Sequence, residues 1–310
     1  MRVLVTGGAG FIGSHIVDSL VQEGHEVAVV DDLSTGRADN LNPGARVYSA
    51  SITDLSALEE VFAREAPQLV SHHAAHTSVR HSMADPSFDA EVNVVGSINV
   101  LQLCVKHGAR KLLFASSCAV YSEPSYLPMG ESHPVRPQSA YGVAKDAVES
   151  YVRFYADVYG LTHTIFRYGN VYGPRQNPRG EAGVVAIFAG QLLRGVQPTI
   201  FGDGSKTRDY VFVEDVVKAN LLAMGERGDN EVYNLGSGEE ISDLEIFDAV
   251  RQATGADVEP IYEERRPGEA DRVRLDCTKA REGLAWVPKV QNEEGVRRAV
   301  AHYRQRHLEA

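Results

Sequence analysis

A glycine-rich segment near the start of the chain constrains the fold more than any other feature. Residues 7–13 contain glycines at positions 7, 8, 10 and 13, directly after the apolar run 3–5 and before an amphipathic stretch that begins at Phe11. Between a strand and a helix, such glycines allow a tight turn and let backbone N–H groups approach a pyrophosphate. The segment therefore predicts a dinucleotide-binding turn.

Short β-branched runs alternate with longer helical patterns through the first half of the chain. This rhythm is typical of βαβ units, and right-handed crossovers then give an α/β fold with a doubly wound, Rossmann-like parallel sheet. The predicted strands are residues 3–5, 26–30, 46–49, 69–71, 111–115 and 164–167. The predicted helices are residues 11–23, 54–65, 88–107 and 141–159.

The composition changes after about Tyr168, where Gly and Pro become frequent. We expect a dinucleotide-binding domain over residues 1–170 and a smaller C-terminal domain over 171–310 that mainly binds substrate. Residues 207–225 again have the pattern of a strand followed by a helix. We expect part of this segment to pack back on the first domain.

Bulk composition excludes several classes of partner. The net charge of -11 makes nucleic acid an unexpected ligand, because phosphate backbones are held mainly by clustered Lys and Arg. The apolar runs are all far shorter than the roughly 20 residues that cross a bilayer. The first residues lead straight into the predicted strand without the pattern of a secretory signal. We therefore expect a cytoplasmic protein without a membrane span.

Two aspartates at the end of the second predicted strand indicate which dinucleotide binds. Asp31 and Asp32 lie about 20 residues after the glycines, where a carboxylate accepts hydrogen bonds from the adenosine ribose. A 2′-phosphate would meet like charge there, so the pattern favours NAD over NADP. Asp31 is the predicted ribose ligand, and the role of Asp32 stays open. The alternative is a glycine turn and an acidic loop that bind nothing.

A tyrosine and a lysine four residues apart suggest acid–base chemistry. Tyr141 and Lys145 would share one face of a helix, and a nearby ammonium would lower the pKa of the phenol towards use as a base. Alone, this spacing is common on solvated helices. However, the strand ending near Ser116 and Ser117 reaches the sheet edge where such folds bind ligands, so a hydroxyl is available too.

Together these segments resemble the extended short-chain dehydrogenase/reductase family. The resemblance implies that Ser117, Tyr141 and Lys145 act together beside the nicotinamide, with Ser116 as the alternative hydroxyl. It also implies NAD contacts from a larger set of residues, in which Tyr141 and Lys145 recur. The others are Gly7, Gly10, Phe11, Ile12, Gly13, Asp31, Asp32, Ile52, His73, Ala74, Ala75 and Tyr168.

Three further segments are similar to the UDP-glucose 4-epimerase branch of that family, namely residues 73–79, 167–175 and 208–210. The resemblance implies that the diphosphate of a UDP-sugar is bound by Asn170, Arg208 and Arg266. It places Glu269 near the uridine ribose, with Ser117 on the sugar hydroxyl. It also implies a homodimer formed through the helix over 88–107 and the helix after Tyr141.

The same branch implies a UDP-glucose/UDP-galactose 4-epimerase, in which hydride passes from sugar C4 to tightly bound NAD and returns to the opposite face. Related dehydratases and a decarboxylase carry an acid where this chain has Ala119. The open alternatives are a UDP-glucuronate 4-epimerase, a decarboxylase, a dehydratase or a non-catalytic NAD-binding protein. Val273 stands where some relatives have a bulky tyrosine, so N-acetylated UDP-sugars are expected to fit as well.

The chain departs from the family pattern at several positions. Ser51 replaces an acid that contacts adenine, and Asp54 is the candidate substitute. Gly169 and Ser122 replace a common Phe and a common Gly. A group of histidines raises the alternative of a metal site, but ordinary polar packing accounts for them better and no metal is expected. These histidines are His72, His73, His76 and His81.

Overall fold

The structure, a computed structural model, describes residues 1–121, 123–178, 183–265 and 270–308. Most of its strands belong to one parallel sheet, and the remainder form two-stranded pairs. The strands are β1 (Arg2–Thr6), β2 (Glu26–Asp31), β3 (Arg46–Ser49), β4 (Leu69–His72), β5 (Lys111–Ser117), β6 (Thr162–Tyr168), β7 (Asn170–Tyr172), β8 (Thr199–Phe201), β9 (Thr207–Arg208), β10 (Tyr210–Phe212), β11 (Glu231–Leu235), β12 (Ile241–Ser242) and β13 (Ile261–Glu263).

Helices flank the sheet and build the second half of the chain. They are α1 (Phe11–Gln22), α2 (Leu55–Glu65), α3 (Val79–Ala84), α4 (Pro86–Ala90), α5 (Gly96–Lys106), α6 (Ala140–Tyr159), α7 (Val184–Leu192), α8 (Val213–Leu222), α9 (Asp243–Thr254), α10 (Thr278–Leu284) and α11 (Asn292–Leu308). Among the described residues, no helix combines the length and apolar character needed to span a membrane.

The main sheet has the order β11-β6-β5-β4-β1-β2-β3, and all its pairs are parallel. Val3 and Val5 of β1 face a core that α1 and α8 cover, whereas Leu4 faces the core under α2, α5 and α6. Because both faces are buried there, β1 and β2 consist mainly of apolar residues. The predicted α/β fold with a doubly wound parallel sheet is confirmed.

The site edge follows from this strand order. From β1 the chain builds outward through β2 and β3, and then returns to β4 on the other side of β1. In such sheets a crevice opens at the carboxyl ends of the two strands where the direction reverses. Here these ends are Thr6 of β1 and His72 of β4, which are paired in register.

The second half of the chain has its own apolar cluster and also completes the sheet. Helices α7, α9 and α11 pack around β7 and β10. Strand β11, which sequence patterns did not predict, pairs with β6, and α8 packs on α1. The division at residue 170 therefore stays a prediction, since residues beyond it contribute to the layer that carries the glycine turn.

The helix predicted over residues 88–107 is built from three consecutive parts. It starts at Pro86, where the Asp85 carboxylate accepts a hydrogen bond from Phe88 N, and passes through the π-helical turn Glu91–Val95 into α5. The backbone stays in the right-handed helical region at Ala90 and Gly96. The segment is thus one helical run with an extra residue in its middle turn.

Candidate active site

The glycine turn between β1 and α1 is held by close backbone contacts. Gly7 has φ +72, and a Cβ there would lie 2.6 Å from Ala74 N. A Cβ on Gly13 would lie 2.1 Å from Gly7 O. Neither position therefore tolerates a side chain without a shift of the backbone. The turn brings the start of α1 close to the β1 and β4 ends.

The first turn of α1 faces this crevice. Gly10 is the N-cap and has no side chain with which to cap the helix, and Phe11 and Ile12 follow as the first helical residues. Leading N–H groups of a helix have no intrahelical acceptor, so they are suited to bind an anion. The side chains of Phe11 and Ile12 pack against the apolar cluster of the second half.

Asp31 points into the glycine turn from the end of β2. Its Oδ2 accepts a hydrogen bond from Ala9 N at 2.9 Å, and its Oδ1 accepts one from Leu33 N at 2.9 Å. Each oxygen keeps a further lone pair for a ribose hydroxyl. Asp32 is exposed and accepts hydrogen bonds from the backbone and hydroxyl of Ser34 instead. The geometry thus suits Asp31 for the ribose and gives Asp32 a turn-forming role.

The loop after β4 lies directly against the glycine turn. His73 N donates to Thr6 O at 3.0 Å, Ala74 N donates to Thr6 Oγ1 at 3.3 Å, and Ala75 follows, partly exposed. Burial lowers the pKa of His73 to about 3, so its ring is neutral. Its Nε2 is 3.1 Å from the hydroxyl of Tyr168.

Tyr168 itself is a core residue. It is buried, and its hydroxyl also accepts a hydrogen bond from Asn220 Nδ2 at 2.9 Å. Its ring packs in the cluster between the sheet and α8. The surroundings of Tyr168 therefore do not support a direct contact with the cofactor. Its hydroxyl instead helps to hold the His73 ring in place.

The segment expected to contact adenine is engaged in local structure. The Ile52 side chain is buried against Gly96, where an added Cβ would lie 2.7 Å from it. Ser51 Oγ is 3.0 Å from Thr53 Oγ1. Asp54, the candidate substitute for the missing acid, caps α2 by accepting a hydrogen bond from Ala57 N at 3.0 Å. An adenine contact from these residues stays a prediction.

The two serines at the end of β5 have different tasks. Ser116 is buried, and its hydroxyl donates to Glu149 Oε1 at 2.7 Å. Ser117 Oγ accepts a hydrogen bond from Ala119 N at 3.1 Å and also hydrogen-bonds the side chain of Tyr141. Because the Ser116 hydroxyl is committed to the interior, Ser117 is the better candidate for substrate contact.

Tyr141 and Lys145 lie on one face of the first turns of α6. Ser139 caps this helix by accepting a hydrogen bond from Gly142 N at 3.1 Å. Lys145 Nζ lies 5.8 Å from the centre of the Tyr141 ring and donates to Ala115 O at 2.8 Å. The structure thus brings together the hydroxyl, the phenol and the ammonium that the sequence pointed to.

The expected lowering of the tyrosine pKa is wrong. Burial raises the pKa of Tyr141, Cys118 and Asp89 raise it further, and only the hydrogen bond with Ser117 lowers it. Burial also lowers the pKa of Lys145 to about 8, against the charges of Asp89 and Glu149. The spacing of two residues showed their common face, but not that Lys145 is buried and Tyr141 partly buried.

The predicted substrate residues on described segments gather beside this triad. Asn170 N donates to Asp209 O at 2.7 Å, and Val273 N donates to Thr207 O at 3.2 Å, so both flank Arg208. The Arg208 guanidinium donates to Thr207 O at 2.7 Å. Its charge lowers the pKa of Cys118, although burial raises that pKa to about 11, which places Arg208 near the residue after Ser117.

Asp209 organises this region, and the sequence did not assign it a role. Its buried carboxylate accepts hydrogen bonds from Ser237 N at 2.6 Å, from Ser237 Oγ at 2.9 Å, from Gly238 N at 3.1 Å and from Leu275 N at 2.9 Å. Burial raises its pKa to about 6, and these hydrogen bonds lower it. An acid at the start of an otherwise apolar run was the only available signal.

The departure at Gly169 has a structural reason. A Cβ at this position would lie 2.8 Å from Asp209 O, and Gly169 N donates to Leu235 O at 2.8 Å. Glycine therefore permits a close approach of three backbone segments. The predicted contacts of Arg266 and Glu269 and the departure at Ser122 lie outside the described residues.

The histidines near the site have hydrogen-bond partners rather than a shared centre. His72 lies 2.7 Å from Thr6 Oγ1 and 2.9 Å from Ser97 Oγ. His76 lies 2.9 Å from Asp89 Oδ1 and 2.9 Å from His81. In the described part of the chain, no group of three or more His, Cys, Asp or Glu side chains is placed to hold a metal ion.

Comparison with known proteins identifies the family. Residues 3–236 match the NAD dependent epimerase/dehydratase family. A UDP-glucose 4-epimerase of Mycolicibacterium smegmatis is 46% identical, over 98% of this chain and 99% of that protein. A UDP-glucose 4-epimerase of Thermotoga maritima, solved with UDP-glucose, has a TM-score of 0.97 and 48% identity, over 99% of this chain and 100% of that one. The Thermus thermophilus enzyme, solved with NAD, has a TM-score of 0.93 and 44% identity, over 98% and 99%.

The chain therefore belongs to the NAD dependent epimerase/dehydratase family, as its motifs predicted. The predicted cofactor, NAD, is confirmed by this membership. The site fits the group physically, because Gly7 and Gly13 allow a close-packed backbone turn, a cradle in front of the α1 N-terminus that no side chain caps. A buried carboxylate at Asp31 also stands beside that cradle, and it would repel the 2′-phosphate of NADP.

Proposed function

We propose that the protein is a UDP-glucose 4-epimerase, which interconverts UDP-glucose and UDP-galactose. One observation carries the proposal: Ser117, Tyr141 and Lys145 meet at the crevice beside the glycine turn, and Ala119 stands where a lyase would need a second acid. A site with one acid–base group can remove and return one proton. Inversion at a single carbon requires no more than that.

Tyr141 is the acid–base residue of this proposal. Its hydroxyl takes the proton from the C4 hydroxyl of the sugar as that carbon is oxidised, and gives it back when the carbon is reduced. Because burial raises its pKa, the phenol depends on nearby positive charge to release its own proton. Lys145 supplies that charge from one helical turn away, and the first turn of α6 adds its dipole.

Ser117 orients the reacting hydroxyl. Its own oxygen is fixed by the N–H of Ala119, so the side chain cannot swing into the core as Ser116 does. It therefore holds both the sugar oxygen and the Tyr141 phenol in one hydrogen-bonded line. Bound NAD would supply the hydride acceptor and donor, held by the glycine turn, Asp31 and Lys145.

The nucleotide part of the substrate binds on the other side of the triad. Arg208 presents a guanidinium, which suits phosphate oxygens. Asn170 lies on β7, which pairs with β10, the strand that follows Arg208. Arg266 and Glu269 are assigned to the diphosphate and ribose by resemblance alone. Because these groups hold the nucleotide rather than the sugar, the oxidised ring is free to turn and present its other face.

The first experiment measures conversion of UDP-galactose by the purified protein and by Tyr141→Phe. Loss of the phenol should lower kcat by about 100-fold or more, because general acid–base catalysis contributes on that scale. Tyr262→Phe, which changes an exposed tyrosine on β13, is the matched control and should retain full activity. Unchanged turnover by Tyr141→Phe would contradict the assignment.

Product analysis separates the alternatives. A dehydrated or decarboxylated sugar nucleotide among the products would favour a lyase, and UDP-glucuronate epimerisation would favour the uronate enzyme. A wild-type protein that binds NAD but converts none of these substrates would be a non-catalytic binding protein. Ala119→Glu offers a further check. Because epimerisation should need no second acid, this variant should not convert UDP-galactose faster than the wild type.

We also propose that N-acetylated UDP-sugars are accepted. Val273 packs beside Val120, Tyr121 and Leu275, next to the strand that carries Arg208, and has a smaller side chain than tyrosine. Val273→Tyr should lower kcat/KM for UDP-N-acetylglucosamine much more than for UDP-glucose. Equal effects on both substrates would remove the proposal.

A homodimer is the proposed assembly. Helix α6 exposes Tyr151, Phe154 and Val158 at spacings of three and four residues, which places them on one helical face. Exposed Phe88 and Val95 on the preceding helical run extend the apolar surface. Phe154→Glu should convert the protein to a monomer in analytical ultracentrifugation. A wild-type protein that already sediments as a monomer would overturn this proposal.

A further inference from the structure

A hydrogen-bonded chain of three side chains runs inward from the surface towards the triad. His81 is exposed, and its Nδ1 lies 2.9 Å from His76 Nε2. His76 Nδ1 lies 2.9 Å from Asp89 Oδ1, and Asp89 is 1% exposed. The chain thus joins solvent to a carboxylate inside the protein.

The position of Asp89 is fixed from several directions. Asn93 Nδ2 donates to Asp89 Oδ1 at 3.0 Å and to His76 O at 2.9 Å, and His76 N donates to Asn93 Oδ1 at 2.8 Å. Asp89 Oδ2 is buried and has no hydrogen-bond partner within the described residues. The carboxylate is therefore held through one oxygen, and the other oxygen has no hydrogen-bond partner in the described part of the chain.

Asp89 acts electrostatically on both members of the catalytic pair. Its charge favours the ammonium form of Lys145 and the neutral form of Tyr141. The segments also touch, because α3 and α4 pack on α6 and Tyr141 N donates to Ser82 Oγ at 3.1 Å. Asp89 thus influences the charge state of the pair from a helix that packs on α6.

The other titratable groups around Lys145 either have charged hydrogen-bond partners or are neutral. Glu149 accepts hydrogen bonds from Arg167 at 2.7 Å, from Arg153 at 2.8 Å and from Ser116 at 2.7 Å. Burial lowers the pKa of His72 and His73 to about 3, so both rings are neutral. Cys118 faces the Tyr141 side, and burial raises its pKa to about 11, so it is neutral too.

Asp89 differs from these groups because no Lys or Arg pairs with it in the described part of the chain. We propose that Asp89, held by His76 and Asn93, is a positioning residue that keeps Lys145 in its ammonium form beside Tyr141. The role rests on the proposed epimerase function, in which that ammonium is needed. Desolvation opposes the charge on a buried lysine, and a nearby carboxylate offsets that effect.

Asp89→Asn is a clean test because the change removes charge and few contacts. The amide oxygen can accept the same hydrogen bonds as Oδ1, and the amide nitrogen takes the place of the unpartnered Oδ2. Asp85→Asn is the matched control, since Asp85 is an exposed carboxylate on the same segment whose cap an asparagine can also form.

The primary readout is the pH titration of Lys145. It is measured by NMR on protein labelled at the lysine Cε, and the Lys145 signal is assigned by comparison with Lys145→Arg. The wild-type midpoint is expected near pH 8, and Asp89→Asn should lower it by about half a pH unit or more. Asp85→Asn should leave it unchanged. A folded Asp89→Asn protein with the wild-type midpoint would overturn the inference.

A second variant covers the case in which Asp89→Asn does not fold. His76→Arg changes a partly exposed residue and sets a permanent cation against the carboxylate, so it should also lower the Lys145 midpoint. In turnover assays, the loss of kcat at high pH should begin at lower pH in both variants, with KM little changed. Absence of any turnover in the wild type would contradict the proposed function, whereas an unchanged Lys145 midpoint in the variants would contradict this inference.

Discussion

Arg167 is paired side-on with Glu149 inside the protein, with Nε 2.9 Å from Oε1 and Nη2 2.7 Å from Oε2. Glu149 lies one helical turn beyond Lys145 on α6, and Arg167 lies on β6. Ser116 of β5 donates to the same carboxylate. The pair therefore fixes α6, and with it Tyr141 and Lys145, against the two strands whose ends form the site.

Glu149→Gln should destabilise the fold. Removing one partner of a buried pair leaves an uncompensated charge on Arg167, which costs about 3–5 kcal/mol. Urea unfolding at pH 7 measures the change, and Asp157→Asn, an exposed acid on the same helix, should cost little. Equal small effects of both substitutions would show that the pair is not important for stability.

Turnover should fall as the pH rises through about 8. Burial lowers the pKa of Lys145 to that value, so the ammonium that assists Tyr141 is present below pH 8 and is lost above it. A kcat profile from pH 6 to 10 would show the decline. Lys145→Arg keeps its charge throughout and should shift the decline to higher pH. A wild-type profile that stays flat to pH 10 is the contrary result.

Gly13→Ala should impair NAD binding and stability together. The new Cβ would lie 2.1 Å from Gly7 O, so the turn must move away from the start of α1. The nucleotide released from denatured protein gives the NAD content, which should fall severalfold. Gly225→Ala is the control because no atom lies within 4 Å of a Cβ there. Full NAD content in Gly13→Ala would contradict the proposed cradle.

Asp209→Asn should weaken substrate binding more than catalysis. Both carboxylate oxygens accept hydrogen bonds from N–H groups, so an amide nitrogen would face donors and leave at least one of them unsatisfied. The expected cost is about 1–3 kcal/mol of stability, with a raised KM as Arg208 shifts. Asp203→Asn, which changes an exposed acid that precedes β9, is the control. An unchanged KM would show that Asp209 does not position Arg208.

The sequence predicted the parts whose signal is local. Strands β1 to β6 and helices α1, α2 and α6 were visible because apolar runs and helical periodicity follow each other without interruption. The glycine turn and the Tyr141–Lys145 spacing were visible because each depends on neighbours in the chain. The order in which these elements occur was sufficient to place the site at one edge of the sheet.

The remaining features depend on distant residues. Strand β11 begins with Glu231 and contains Asn234, so it is not an apolar run, and its place beside β6 depends on pairing with distant residues. The direction of the Tyr141 pKa depends on burial, which spacing does not reveal. Likewise, no pattern distinguished Glu149 or Asp209, which are buried, from the exposed acids around them.

The placement of β11 and α8 has a consequence for biosynthesis. Until residue 235 has emerged from the ribosome, β6 keeps an open edge and the α1 side of the sheet lacks a cover. Nascent chains that end near residue 170 would present both unpaired backbone groups and apolar surface, which promote aggregation. Folding of the nucleotide-binding layer is thereby coupled to translation of the second half of the chain.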